Sequence, residues 1–168
     1  HAVPLARALA KGGLPAIEIT MRTGAALEAI RRVAGEVEEC IVGAGTILNP
    51  GHFQEAEKAG SKFIVSPGCT SDLRKAAASS QVPLLPGAIT PSEVMVMLDV
   101  GYSVLKFFPA EQAGGARGVL ARDCLAPLLQ PMVPDGRSGI VRNADQERRL
   151  VEQRIADKRT PHAGLFVE

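Results

Sequence analysis

Short apolar runs alternate with amphipathic stretches along most of this chain. The runs Pro15–Thr20, Cys40–Ala44, Lys62–Ser66, Val82–Pro86 and Val104–Phe108 are rich in Ile, Val and Leu and begin 20 to 25 residues apart. Between them lie helix signals. Ala25, Leu27, Ile30 and Val33 make an apolar stripe, while Thr70 before Ser71-Asp72-Leu73 and Thr90 before Pro91-Ser92-Glu93 read as capped helix starts, the second with proline in its first turn. Ahead of the first run, Ala2, Val3, Leu5, Ala6, Leu9 and Ala10 fall at helical spacing. Such alternation predicts βα units and a parallel sheet whose strands are buried on both faces. The chain opens at His1 inside this first helix, so its N-terminus is read as cut.

Regular βα units build either an open doubly wound sheet or a closed barrel. Glu18, Arg22, Thr46, Pro67, Gly87 and Lys106 all fall at or just beyond the C-terminal ends of successive predicted strands. In a barrel those ends converge on one mouth, where active sites sit. In an open sheet they would be strung along an edge. The barrel is therefore the expected architecture.

Composition narrows the function classes. The 168 residues are 46% hydrophobic and 22% charged with a net charge of +1, a composition that fits one globular domain. A near-neutral balance disfavours nucleic acid or an anionic membrane as the main partner, because both select a basic face. No apolar run is long enough to span a bilayer and no signal peptide is evident, so a cytoplasmic location is expected. Cys40, Cys69 and Cys124 are widely spaced, without CxxC or nearby His at ligand spacing. No disulfide framework and no metal site are expected from them.

Lys106 is the residue with the sharpest chemical implication. A lysine inside a buried strand is costly unless paired or functional. Schiff-base chemistry needs a neutral amine, the form that burial beside apolar neighbours favours. The alternative is a lysine snorkelling from a strand end. Phe107 and Phe108 read as core packing. In Ala16-Ile17-Glu18-Ile19-Thr20, alternation that turns Ile17 and Ile19 one way turns Glu18 the other, toward a barrel interior. A carboxylate there shuttles protons or pairs with a cation. Arg22 suits a bidentate carboxylate grip or simple solvation. Val42-Gly43-Ala44-Gly45-Thr46 lacks phosphate-loop spacing. Its glycines are expected to admit a ligand to the backbone, with Thr46 offering a hydroxyl. Ser66-Pro67-Gly68 and Pro86-Gly87 are tight turns after strands. His52, near a helix start, is expected to be solvated.

Glu18-Ile19-Thr20-Met21-Arg22-Thr23, Val42-Gly43-Ala44-Gly45-Thr46, Ser66-Pro67-Gly68, Leu85-Pro86-Gly87 with Thr90-Pro91-Ser92-Glu93, and Lys106-Phe107-Phe108-Pro109-Ala110-Glu111 occur in a telling order. Order and spacing resemble the bacterial 2-keto-3-deoxy-6-phosphogluconate (KDPG) aldolases, many of which also cleave 4-hydroxy-2-oxoglutarate to pyruvate and glyoxylate. The resemblance runs from residue 1 to about Gly115. It implies a (β/α)8 TIM barrel and a trimeric, cytoplasmic, cofactor-free class I aldolase of the Entner–Doudoroff pathway. Its substrate would be a small keto-acid phosphate, split into pyruvate and glyceraldehyde 3-phosphate. By match, Lys106 is the Schiff-base lysine, Glu18 the general acid/base, Arg22 and Thr46 bind the pyruvate carboxylate end, and Pro67 lines the pocket.

The pattern is also incomplete. The family's first strand, ahead of the opening helix, is absent, and so are its last two strands with the Pro-Thr-Gly-Gly phosphate motif. Residues 1–115 thus read as a partial barrel and residues 116–168 as a divergent tail. The tail holds eight Arg and one Lys, against five of each before it, and shows no further strand with a following helix. One permitted back-translation of Val133-Pro134-Asp135-Gly136-Arg137-Ser138, read one nucleotide later, gives Phe-Pro-Thr-Gly-Gly. A frame-shifted, poorly packed tail is expected on that ground. Two other readings of the whole chain are a catalytically impaired fragment of such an aldolase and a phosphosugar barrel enzyme that makes no imine.

Overall fold

A computed structural model of the chain describes residues 1–114 and residues 164–167. The order is α1 (Ala2–Lys11), β1 (Ala16–Thr20), α2 (Ala26–Glu36), β2 (Ile41–Gly45), α3 (Pro50–Lys58), β3 (Ile64–Ser66), α4 (Ser71–Ala78), β4 (Leu84–Ala88), α5 (Pro91–Asp99), β5 (Val104–Phe107) and β6 (Gly164–Val167). The predicted strands all form, with ends shifted by one or two residues. Two compact units divide the chain, His1–Leu85 and Pro86–Glu168.

In the first unit β1, β2 and β3 pair in parallel, with Ile17 opposite Val42, Glu18 opposite Gly43, Thr20 opposite Gly45, and Ala44 opposite Ile64. The helices cover this sheet with apolar stripes. Ala26, Ile30 and Val33 are buried on α2, which packs on β1 and β2, while Phe53 and Ala56 on α3 and Leu73 on α4 continue the core. Side chains on one helix face recur three to four residues apart, and each of these stripes follows that rule. β2 and β3 are almost wholly buried, as expected of parallel strands. β1 departs from that expectation: Ala16 and Thr20 are exposed and the residues between them half-buried. Its one recorded neighbour among the described residues is β2, which leaves less cover than a central strand has.

Helix starts follow the sequence signals. Asn49 caps α3 by accepting from His52 N–H, with Pro50 in the first turn, and Thr70 caps α4 by accepting from Leu73 N–H. Thr90 and Glu93 form a reciprocal capping box on α5. Such caps contribute about 1 kcal/mol each. They also fix where each loop ends, and so where the strand-end residues before it stand.

In the second unit β4, β5 and β6 pair in parallel, with Gly87 opposite Lys106, Ala88 opposite Phe107, and Lys106 opposite Phe166. β6 was not expected. A four-residue apolar run with no helix after it does not meet the βα pattern. Apart from β6, the residues of the expected frame-shifted, poorly packed tail lie outside the described residues, as does Cys124. No helix among the described residues is long and apolar enough to cross a membrane.

Candidate active site

In a parallel sheet a strand end is a fixed platform, because its backbone is tied to neighbours while its last side chains are not yet covered. In the first unit three such ends stand side by side. Met21 N–H donates to Gly45 C=O at 2.8 Å, and Ile47 N–H donates to Val65 C=O at 3.2 Å, which ties β1 to β2 and β2 to β3 at their C-terminal ends. Thr46 just past β2 and Pro67 just past β3 share this edge, and Glu18, at the centre of β1, reaches toward it with its side chain, all three half-buried. Arg22 lies two residues beyond β1 and is exposed.

Glu18 is the best-placed group of this set. Its side chain lies across β2 over Gly45, where a Cβ on that glycine would stand 2.8 Å from Glu18 Cγ and overlap the carboxylate. Gly43, two residues earlier and on the same face, holds the Phe63 ring in the same way. This corrects the expectation that the two glycines open the backbone to a ligand, because side chains already fill both places. Sequence reasoning missed Gly45 as a partner of Glu18. The available signal was two glycines at period two, beside a strand carrying Glu18 and Thr20 at the same period.

Thr46 has φ of 59°. A β-branched residue in the left-handed region is strained by about 1–3 kcal/mol, a cost usually met at functional sites. That conformation turns the chain sharply from β2 toward the Asn49 cap and sets the Thr46 side chain directly after the Glu18 seat.

His52 is half-buried rather than fully solvated as expected, and its Nδ1 is shielded from solvent with no hydrogen-bond partner among the described residues. Its backbone N–H donates to the Asn49 cap in the first turn of α3.

In the second unit Lys106 is 8% exposed in the middle of β5. Its Nζ stands 4.7 Å from the centroid of the Phe108 ring. Phe108 follows directly on the end of β5, where the chain turns and sets its ring beneath the lysine amine. Phe107, on the other side, is buried in the core as expected, whereas Phe108 serves as a platform for the lysine rather than as plain core.

Two thiols are free among the described residues. Burial pushes Cys40 up, and burial pushes Cys69 up against a smaller opposing pull from Arg74. A cleft of about 430 Å³ is lined by Arg7, Ala10, Lys11, Gly35, Glu36, Glu38 and Glu39. It opens where α1 and α2 end, the side from which β1 and β2 begin, away from Glu18 and Thr46. There Arg7 donates to Glu36 C=O at 3.1 Å and so satisfies an otherwise open carbonyl at the end of α2. The candidate chemistry is thus not in this cleft. No group of three or more potential metal-ligating side chains occurs among the described residues.

Comparison with known proteins gives concordant results. The family model described as KDPG and KHG aldolase matches residues 1–136. A KHG/KDPG aldolase of Escherichia coli is 50% identical over 121 residues, 72% of this chain and 57% of that protein. The KDPG aldolase of Zymomonas mobilis, solved with 3-phosphoglycerate, superposes with a TM-score of 0.70 at 45% identity, covering 77% of this chain and 60% of the other. The KDPG aldolase of Legionella pneumophila, with pyruvate captured as a covalent carbinolamine, gives a TM-score of 0.73 at 31% identity and covers 99% of this chain and 75% of that one. The chain spans little more than half the length of the curated relatives it matches.

Proposed function

The chain belongs to the KDPG and KHG aldolase family and to its α/β TIM-barrel fold class, and we propose that it serves as a class I aldolase cleaving KDPG to pyruvate and glyceraldehyde 3-phosphate. Cleavage of 4-hydroxy-2-oxoglutarate to pyruvate and glyoxylate is the second reaction of the same site. The observation that carries the reading is the placement of Lys106, a lysine 8% exposed inside β5 with its amine over the Phe108 ring.

The chemistry follows from these residue types. The Lys106 amine adds as the neutral base to the C2 ketone, and with one proton taken up from solvent the carbinolamine loses water, giving an iminium at C2. That cation is an electron sink. The C3–C4 bond breaks, its electron pair enters the iminium, and the proton of the C4 hydroxyl passes to the Glu18 carboxylate as the aldehyde leaves. The remaining enamine takes that proton back from Glu18 at C3, and water at C2 then releases pyruvate, restores the amine and returns the solvent proton. Each atom is accounted for without a metal or cofactor.

Arg22 and Thr46 are assigned to the carboxylate end of the keto acid, and Pro67 to the pocket wall. Their common position past the ends of β1, β2 and β3 supports this assignment. A homotrimer and a cytoplasmic location accompany the proposal and rest on the family resemblance. Residues 116–168 are proposed to be a frame-shifted continuation of the barrel.

The test is covalent trapping. Folded protein treated with pyruvate and borohydride should gain one stable adduct at Lys106, located by mass spectrometry. Labelling at another lysine, or undiminished labelling in Lys106→Ala, would overturn the assignment.

A further inference from the structure

We propose that Gly45 is a positioning residue for catalysis: its missing side chain creates the seat that holds the Glu18 carboxylate at the C-terminal edge of the sheet. The inference rests on the aldolase reading of Glu18 and adds to it a residue that never touches substrate.

Three observations converge on it. Glu18 is paired in register with Gly43, yet its carboxylate lies over Gly45, two residues nearer the strand end. Two residues of strand are about 6.6 Å of advance. The side chain therefore carries its charge from the level of its own backbone toward the edge where Thr46 stands. The seat behind it is closed, because the Phe63 ring already fills the space over Gly43. The carboxylate cannot retreat there.

The backbone around the seat is fixed as well. Gly45 C=O accepts from Met21 N–H on the β1 side, and two residues later Ile47 N–H donates to Val65 C=O on the β3 side. Between them Thr46 is held at φ 59°. A strand tied to both neighbours and followed at once by a strained turn has little freedom to shift and admit a Cβ. The part able to move is the far end of the Glu18 side chain. Alanine at this position would consequently leave the fold standing and turn the carboxylate out of place. Gly45 itself has no positive φ, so alanine meets no backbone penalty there.

That combination separates positioning from mere packing. A small misplacement of a catalytic group costs on the order of 10²-fold in rate, so the exchange rate is the readout on which the positioning role stands. Imine formation at Lys106 reports on the other half of the chemistry and should not change.

The experiment uses the full chain, with pyruvate as the probe. Borohydride trapping reads imine formation, exchange of pyruvate C3 protons with deuterium oxide reads proton transfer, and the thermal midpoint reads stability. In Gly45→Ala we expect trapping within about 2-fold of the parent and exchange lowered on the order of 10²-fold. In a Glu18→Ala background, where the seat is empty, adding Gly45→Ala should change exchange by less than about 2-fold and leave the midpoint where Glu18→Ala alone puts it. If Gly45→Ala by itself lowers the midpoint, pairing it with Glu18→Ala should recover that loss. Exchange at the parent rate in Gly45→Ala, or an equal further loss in the Glu18→Ala background, would overturn the positioning role. A parent protein that neither traps pyruvate nor exchanges its protons would overturn the aldolase reading and this inference with it. Normal trapping with normal exchange in Gly45→Ala would overturn the inference alone.

Discussion

The Lys106 amine lies over the face of the Phe108 ring, 4.7 Å from its centroid. An aromatic face attracts a cation, with a contribution of about 0.5–2 kcal/mol according to how far the pair is removed from water. In the proposed reaction the nitrogen over that ring carries a positive charge once the iminium has formed. The ring would favour the iminium over the neutral carbinolamine that precedes it.

Phe108→Leu keeps apolar bulk and removes the π face. Steady-state trapping with borohydride should fall by about 2- to 30-fold, the equilibrium equivalent of that energy range. The check is a pyruvate titration of adduct yield. An unchanged titration would show that Phe108 supplies packing only.

Glu18→Gln preserves shape and removes the proton acceptor. Cleavage should slow by on the order of 10²–10⁴-fold, the usual weight of general acid–base catalysis. A coupled assay of pyruvate release from KDPG measures it, and near-parent turnover would reduce Glu18 to a structural partner.

Thr46→Gly relieves a left-handed conformation that costs about 1–3 kcal/mol, offset by about 0.5–1 kcal/mol of added chain freedom. The thermal midpoint should hold or rise while the pyruvate concentration for half-maximal trapping increases, because the hydroxyl is lost. A lower midpoint would mean that the Thr46 side chain is itself structural.

Glu93 carries a pH dependence. Hydrogen bonds from the backbone N–H groups of Thr90 and Ile89 hold its carboxyl below the usual 4.5. With the folded value below the unfolded one, the folded chain binds fewer protons in that window, so stability increases with pH there. The contribution is full above about 4.5 and disappears as acid carries the pH below the folded value. Thermal midpoints of the parent and Glu93→Gln should therefore differ at neutral pH and converge on acidification. A constant difference would remove the carboxylate from the α5 cap.

The reading frame beyond residue 115 offers a test by nucleotide sequencing. The neighbouring frame should encode Pro-Thr-Gly-Gly near the codons for Val133–Ser138 and then the remaining strands of the family. If no frame does so, the tail is a genuine sequence of this protein.

The sequence revealed features with strong periodicity or fixed local chemistry. Five strands showed as apolar runs. Thr70 and Thr90 announced their helices because a cap needs only neighbours three residues away. Lys106 stood out because a charge among Val104, Leu105 and Phe107 has few innocent explanations. What the sequence hid depends on contacts between strands. The seat of Glu18 over Gly45 requires the register of β1 on β2, which neither strand states by itself. The half-buried exposure of β1 depends on how many neighbours it has, and the half-burial of His52 on packing around the first turn of α3. β6 was hidden because a run as short as Gly164–Val167 becomes a strand only beside β5.

The paired glycines of β2 also set an order for evolutionary change. Glycine has no smaller neighbour in the genetic code, so every missense change at Gly45 adds a Cβ and meets the Glu18 side chain at once. A lineage could drift at this position only after Glu18 had been shortened or lost, and with it the proton chemistry assigned to that residue. The reverse order closes a path as well. Once a side chain occupied the seat, restoring glutamate at position 18 would not restore its former place. Glu18 and Gly45 are thus bound to one another historically, and a descendant that altered both would retain the α/β scaffold while having left the proposed reaction behind.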